Sequence, residues 1–387
     1  MAQLDGDAHR AGRSDDAAWA LARAVAPLRA LRAYDPGHDI VALRRGFAPG
    51  ALLELGSNEN PYGPGPRARE AAAAALGEIH RYPDPLAGEL KRALAAHHGV
   101  DATQLVMGNG SHELLMQLAQ VFAGHPGDEV LVPEYGFAVF AIAAHAVGAS
   151  LRRAPAFAPG AAMPRGHDLD ALCAAVTPAT RLVYIDNPNN PTGTWFGTTA
   201  FARFMHAVPD DVVVVVDEAY AELAHAADFA SALALLPRHR NLVITRTFSK
   251  AYALAGLRIG YAIANAALAA MLERVRESFN VGLVAQAAAI AALGDQDWLE
   301  DTSQRNREER ARLAAALRAR GFTVAPSQAN FLLVETGAAT ARIEAALLAS
   351  GIVLRPMAGY GLPASVRITV GTAADNTRLL QALDALP

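Results

Sequence analysis

Cysteine is almost absent from this 387-residue chain. Cys173 stands alone, which excludes an intrachain disulfide and every CxxC metal or redox site; it is expected to pack in a helix. Lysine is nearly as scarce. Of 34 basic residues only Lys91 and Lys250 are lysine, and arginine, which keeps its proton in proteins, cannot replace them as an amine nucleophile. A retained lysine therefore invites a chemical explanation. Lys91, beside Glu89 and Arg92 in an amphipathic stretch, is expected on a solvated helix face. An excess of positive charge is also missing. The net charge of -4 and pI near 6.3 give no field for a phosphodiester backbone or an anionic membrane, so nucleic acid is not expected as a partner. The longest uncharged runs, Tyr135–Leu151 and Ser278–Gly294, hold 17 residues each and fall short of the roughly 20 a bilayer requires. No transmembrane helix is expected. Asp5, Asp7 and Arg10 stand where a secretory leader has a basic end, and the expected compartment is the cytoplasm.

What is present reads as a large globular protein. Hydrophobic residues make up 52% and charged residues 19%, enough apolar surface for extensive cores, and the length suggests two or three domains at about 150 residues each. Residues 1–16 read as a disordered extension, 17–60 as an N-terminal arm and part of a small domain, 61–280 as a large domain and 281–387 as a small C-terminal domain. Ser14 to Asp16 offer caps for a helix ending near Pro27. Helices are predicted at 67–76 and 86–98. Strands are predicted at 105–107, 129–132, 181–185, 212–216, 242–245 and 259–264, separated mostly by helix-period segments. That alternation predicts an α/β fold with a mainly parallel sheet covered by helices and ligands at the carboxyl ends of the strands. After Asn280 a long charged helix, 297–320, and strands at 322–324, 330–334, 352–354 and 366–370 predict an α+β unit.

Four segments carry chemistry. The strand Val212–Val216 runs into Asp217 and Glu218. A nucleotidase reading would need G-x-x-x-x-G-K-[ST], and neither lysine follows a glycine. What stays open is a carboxylate held against a cation such as a protonated pyridine nitrogen, or a solvated strand end. TRTFSKAYALA at 245–255 puts Lys250 just beyond a strand, where a desolvated amine can form a Schiff base with a carbonyl cofactor. Thr247, Ser249 and Arg258 make a cradle for a phosphate dianion. Gly108 to Ser111 form a glycine-bearing turn before a helix, able to bind an anion through backbone N–H groups; the third glycine of a dinucleotide fingerprint is missing. DNPNNPTG at 186–193 fixes a tight loop from which Asn190 can present its amide in a defined direction.

Taken together these segments resemble a fold-type I pyridoxal-phosphate aminotransferase, and most closely the histidinol-phosphate aminotransferase family. NPNNPTG, DEAY at 217–220 and TFSKAYALAGLRIGY at 247–261 resemble the cofactor core. SNENPYGPG at 57–65, RYPDP at 81–85, GNGSHELL at 108–115 and GIVLRPMAGYGLPASVRITVGT at 351–372 resemble the narrower family. The resemblance implies that Lys250 carries the cofactor and then moves the substrate proton, that Asp217 keeps the pyridine nitrogen protonated, and that Asn190 and Tyr220 bind the ring's O3′. It implies Tyr135 stacked on the ring. The phosphate would be held at Gly110, Ser111 and His112, by Thr247, Ser249 and Arg258, and by Tyr82 from the other subunit of a homodimer. Arg367 would take the substrate's carboxylate or phosphate, Arg355 and Tyr34 would assist, and Asn58 and Asn330 would line the pocket. No metal is implied.

The activity implied is transamination between histidinol phosphate or imidazole acetol phosphate and the pair L-glutamate and 2-oxoglutarate. An aromatic amino acid aminotransferase is the nearest alternative, and a threonine-phosphate decarboxylase-like lyase shares the same cofactor core. A silent cofactor-binding domain of a transcription regulator would need an attached basic DNA-binding segment, and residues 1–60 contain none. Two departures stand out. His112 occupies a position where the family often has an acidic residue, which bears on the electrostatics of the phosphate edge, and Trp195 and Phe196 add aromatic bulk after PTG that is expected to be packing.

Overall fold

Seven short strand segments of the middle of the chain, most of them containing Val, Ile or Thr, hydrogen-bond into one sheet. In the computed structural model, which describes residues 16–31 and 37–386, they are β1 (Leu105–Gly108), β2 (Glu129–Pro133), β3 (Ser150–Ala154), β4 (Thr180–Asp186), β5 (Val213–Asp217), β6 (Leu242–Thr247) and β7 (Gly260–Ala264). Their order in the sheet is β1-β7-β6-β5-β4-β2-β3. The sheet is parallel except at β7, which runs antiparallel to both β1 and β6. Residues 248–259, which connect β6 to β7, hold one 3-10 turn at Ala255–Leu257 and no α-helix, so the chain returns antiparallel without the helical crossover typical of a parallel pair. Tyr34 and residues 1–15 lie outside the described residues; Asp16 already belongs to a helical segment, 16–23.

Alternation along each strand sorts the core onto two faces. Val214 and Val216 enter one cluster with Val183, Ile185 and Leu90, while Val213 and Val215 enter another with Leu182, Tyr184 and Phe140. Both faces are apolar because helices cover both. Helices Gly88–His98 and Leu283–Ala292 pack in the first cluster; Ser111–Phe122 and Ala138–Val147 pack in the second. The edge strand β3 was not expected, because SLRRA carries two arginines; such charges protect an exposed sheet edge from pairing.

A four-stranded antiparallel sheet forms from the last third of the chain, in the order Arg355–Pro356, Ser365–Thr369, Phe331–Glu335, Thr323–Val324. The strand Leu53–Glu54 pairs parallel with Ile352–Val353, and Leu53 and Leu55 pack with Leu313, Leu317 and Val366. Helix Leu283–Ala292, read from sequence as part of the C-terminal unit, instead packs its alanine face in the core of the large sheet.

Lys91 requires a correction. Its side chain is only 15% exposed and pairs with Glu273, Nζ to Oε1 at 2.6 Å, because helix Gly88–His98 turns that face toward the Glu273–Arg276 segment rather than to water. Cys173 lies in helix Leu169–Ala175, half-buried against the core. Phe196 is buried against Phe201, and the Trp195 indole N–H donates to Asp228 Oδ1 at 2.9 Å, so both aromatics serve packing. Among the described residues no helix is long and apolar enough to cross a membrane.

Candidate active site

Parallel pairing in register aligns the carboxyl ends of β4, β5 and β6, so Asp186, Asp217 and Thr247 end side by side. Ligands bind at such edges in open α/β sheets. A cavity of about 490 Å³ opens there, walled by the strand ends, by the segment 56–59, by the loop 247–258 and by Arg355, Tyr360 and Arg367 of the second unit.

Lys250 follows β6 and extends its amine into this cavity. Nζ donates to the carbonyls of Ser57 and Asn58 at 3.1 and 3.2 Å. Desolvation, reinforced by the nearby Arg367 guanidinium, pushes its pKa down to about 8. The bulk of the amines are still protonated at pH 7, but the neutral form is within easy reach. Asp217 is 4% exposed, which removes the solvated reading. Its Oδ1 accepts from Thr245 Oγ1 at 2.8 Å. Burial pushes its carboxyl up to about 7, opposed by that hydrogen bond and reinforced by the charges of Asp186 and Glu218. A buried carboxylate with so high a proton affinity is a strong partner for a cationic N–H. Tyr220 is buried, its hydroxyl accepting from Asn58 Nδ2 at 3.0 Å, and burial raises its pKa.

One end of the cavity is built for an anion. Gly110, at φ +81, caps helix Ser111–Phe122, whose first N–H groups have no intrahelical carbonyl to bond. Thr247 Oγ1 donates to Ser249 Oγ at 2.9 Å, and Arg258 Nη1 donates to the same oxygen at 3.4 Å. A side chain at Gly260 would strike the backbone N of Ser111 at 2.5 Å, and one at Gly110 would strike Arg258 Nη2 at 2.6 Å. Glycines therefore keep this cradle open. His112 lines it half-buried, and burial together with Arg258 pushes its pKa down. The ring is neutral at pH 7 and takes no charge away from the cradle, as an acidic residue would.

The opposite chemistry of the wall is carried by two arginines. Arg355 and Arg367 face one another across an antiparallel strand pair, and both line the cavity. Arg367 donates through Nη1 to Asn190 Oδ1 at 2.6 Å and through Nη2 to Gly56 O at 2.8 Å. Two cations set opposite each other repel unless an anion lies between them. Asn330 reaches the site one step removed, donating to Asn58 O at 3.0 Å.

Besides Asn330, Tyr135 and Tyr82 stand outside this cavity. Tyr135 lines a neighbouring space of about 430 Å³ that shares Phe137 and Tyr360 with it. Tyr82 is 81% exposed and stacks on Phe279 at 4.5 Å, away from the site of its own chain. Several wall residues were missed from sequence, Ser57, Glu59, Phe137, Asp186 and Tyr360 among them. Phe137 precedes helix Ala138–Val147 and Tyr360 ends the 3-10 turn Ala358–Tyr360 inside the 351–372 motif, and neither aromatic by itself signals a role. Asp186 opens the DNPNNPTG segment, and its place one strand over from Asp217 was the available signal. Among the described residues no cluster of three or more His, Cys, Asp or Glu could hold a metal ion.

Residues 51–383 match the family model for aminotransferase class I and II. The histidinol-phosphate aminotransferase 2 of Pseudomonas aeruginosa is 45% identical over 365 residues, covering 94% of this chain and 97% of that protein. That of Methylococcus capsulatus is 44% identical, covering 93% and 97%. The solved structure of histidinol-phosphate aminotransferase from Sinorhizobium meliloti in complex with pyridoxal 5′-phosphate superimposes with a TM-score of 0.83 at 32% identity, over 93% of this chain and 96% of that one. The mixed sheet with helices on both faces is the fold-type I architecture, and the chain belongs to the class I and II aminotransferases, in the histidinol-phosphate aminotransferase family.

Proposed function

We propose that the chain transaminates histidinol phosphate and imidazole acetol phosphate, with L-glutamate and 2-oxoglutarate as the second pair, using pyridoxal phosphate held in the strand-end cavity of a cytoplasmic homodimer. The observation that carries this is one cavity joining an amine of lowered pKa, a buried carboxylate and two separate anion-binding groups. The donor set fits the cofactor. The Gly110–His112 turn with Thr247, Ser249 and Arg258 suits its phosphate, Asp217 suits its ring nitrogen, Asn190 and Tyr220 suit its ring oxygen, and Lys250 suits its aldehyde. When bound, pyridoxal phosphate supplies a ring that accepts the electron pair left as the substrate's Cα proton departs.

The chain's own residues do the rest. Lys250, once its amine is free, takes the proton at Nζ and returns it across the reacting face; the Ser57 and Asn58 carbonyls hold that atom in place. Asp217 keeps a proton on the atom it faces, its carboxylate charge dispersed only by Thr245. Arg367 forks onto the substrate anion, and Arg355 adds a second charge suited to a phosphate rather than to a lone carboxylate. Tyr82, exposed beside Phe279, would help hold the phosphate of the neighbouring subunit in a dimer, and Tyr135 would contribute its aromatic ring from the adjoining loop.

The test is an absorbance titration of the yellow protein with histidinol phosphate, phenylalanine and glutamate added separately. Conversion by histidinol phosphate at far lower concentration than by phenylalanine supports the reading. Preference for phenylalanine makes the chain an aromatic aminotransferase, and carbon dioxide release without a keto acid makes it a lyase. Lys250→Ala is expected to abolish both the visible band and turnover.

A further inference from the structure

Asp186 is a second carboxylate on the cavity wall, 3% exposed and opposite Asp217 in the β4–β5 register. Both of its oxygens accept hydrogen bonds. Oδ1 accepts from His167 Nε2 at 2.7 Å and from Asn189 Nδ2 at 2.9 Å, and Oδ2 accepts from the backbone N–H of Asn190 at 2.7 Å. Three donors match a carboxylate and leave no acceptor for a carboxylic acid proton. Asn189 Nδ2 gives its other proton to Tyr135 O at 2.7 Å, so His167 supplies the N–H on Nε2. His167 Nδ1 is buried with no hydrogen-bond partner among the described residues, and a proton there would be an unmatched donor. The ring thus meets the carboxylate through Nε2.

We infer that Asp186, held by His167, is a positioning residue for the cofactor ring: it ties the Asn190 loop and the Tyr135 loop to the end of β4 and sets a fixed negative charge beside Asp217. The inference rests on the reading that this cavity holds pyridoxal phosphate. A carboxylate used only as a turn staple needs no place on the cavity wall, and a Ser or Asn would staple the same turn without burying a charge. Burial does most to raise the proton affinity of Asp217, and the Asp186 charge adds to it. The same charge favours protonation of any basic nitrogen bound in the cavity.

The experiment uses the holoenzyme. The visible band of the lysine-bound cofactor is titrated with pH, and the pyridoxal phosphate dissociation constant is measured by fluorescence, for wild type, Asp186→Asn and His167→Gln. Lys250, Arg258, Arg355, Arg367, Glu59 and Asp217 remain in every variant, so a midpoint shift in Asp186→Asn reports the lost Asp186 charge. Asp186→Asn is expected to lower the midpoint by about one pH unit and weaken cofactor binding roughly tenfold, the size of effect that one buried charge exerts on a near neighbour. His167→Gln keeps the carboxylate and a donor to it, and is expected to leave the midpoint in place while weakening binding several-fold. If Asp186→Asn does not fold, Asp186→Ser removes the same charge and carries the same test. A midpoint unchanged in the charge-removing variant overturns the inference while leaving the function reading intact. A wild-type protein with no titrating visible band overturns both.

Discussion

Lys250 offers a quantitative test that needs no substrate. A lysine of ordinary pKa, 10.5, is about 0.03% neutral at pH 7, whereas one at about 8 is roughly 10% neutral, an enrichment of about 300-fold. The sign follows from the cause: burial and the Arg367 cation both destabilise the ammonium, so the neutral amine appears at lower pH. The chain has only one other lysine, Lys91, which is held in an ion pair with Glu273. Competitive trace labelling of the cofactor-free chain with an amine-selective reagent, read by mass spectrometry from pH 6 to 11, therefore resolves two sites. Lys250 labelling should rise with a midpoint near pH 8. Lys91, paired with Glu273, serves as the internal reference. Arg367→Met should move the Lys250 midpoint upward, because one of the cations opposing its charge is gone. A Lys250 midpoint at or above pH 10 would refute the argument that the cavity desolvates this amine.

Arg367→Ala is expected to weaken both histidinol phosphate and glutamate by roughly 10- to 100-fold, the worth of a lost charge-assisted fork, with the visible band retained; steady-state KM values check it. Arg246 is buried between Glu218 at 2.6 Å and Glu222 at 3.1 Å. Arg246→Met strands two buried carboxylates and should cost about 3–5 kcal/mol, seen as a lower urea midpoint with activity per folded molecule kept. Leu90→Ala, at a position with no exposed surface in the large core, should cost about 2–5 kcal/mol, seen as a lower melting temperature in calorimetry.

The cofactor-side residues were legible because their chemistry is local in the chain. Lys250, Thr247, Ser249 and Arg258 lie within one strand-to-strand loop, and Asp217 with Tyr220 lies at the end of a five-residue valine-rich strand. Lysine scarcity sharpened the reading of Lys250 but misled for Lys91, whose partner Glu273 is distant in sequence and joins it only through packing. Asp186 escaped notice for a related reason. A strand-end aspartate is unremarkable until its neighbour across the sheet is known, and that neighbour is thirty-one residues on. The edge strand β3 was lost because its arginines mask the strand pattern.

What the amino-acid order determined by itself is the alternation of helices and strands, the α/β class, and the presence of a reactive lysine, a strand-end carboxylate and a phosphate turn. These depend on periodicity, turn chemistry and residue type, which act over a few residues. Only the tertiary structure decided that Asp186 lies beside Asp217, that Arg355 faces Arg367, and that Asn58 joins Tyr220 across the cavity. Proton affinity and anion binding follow from burial and from charges brought together across the sheet, and the folded chain alone creates both.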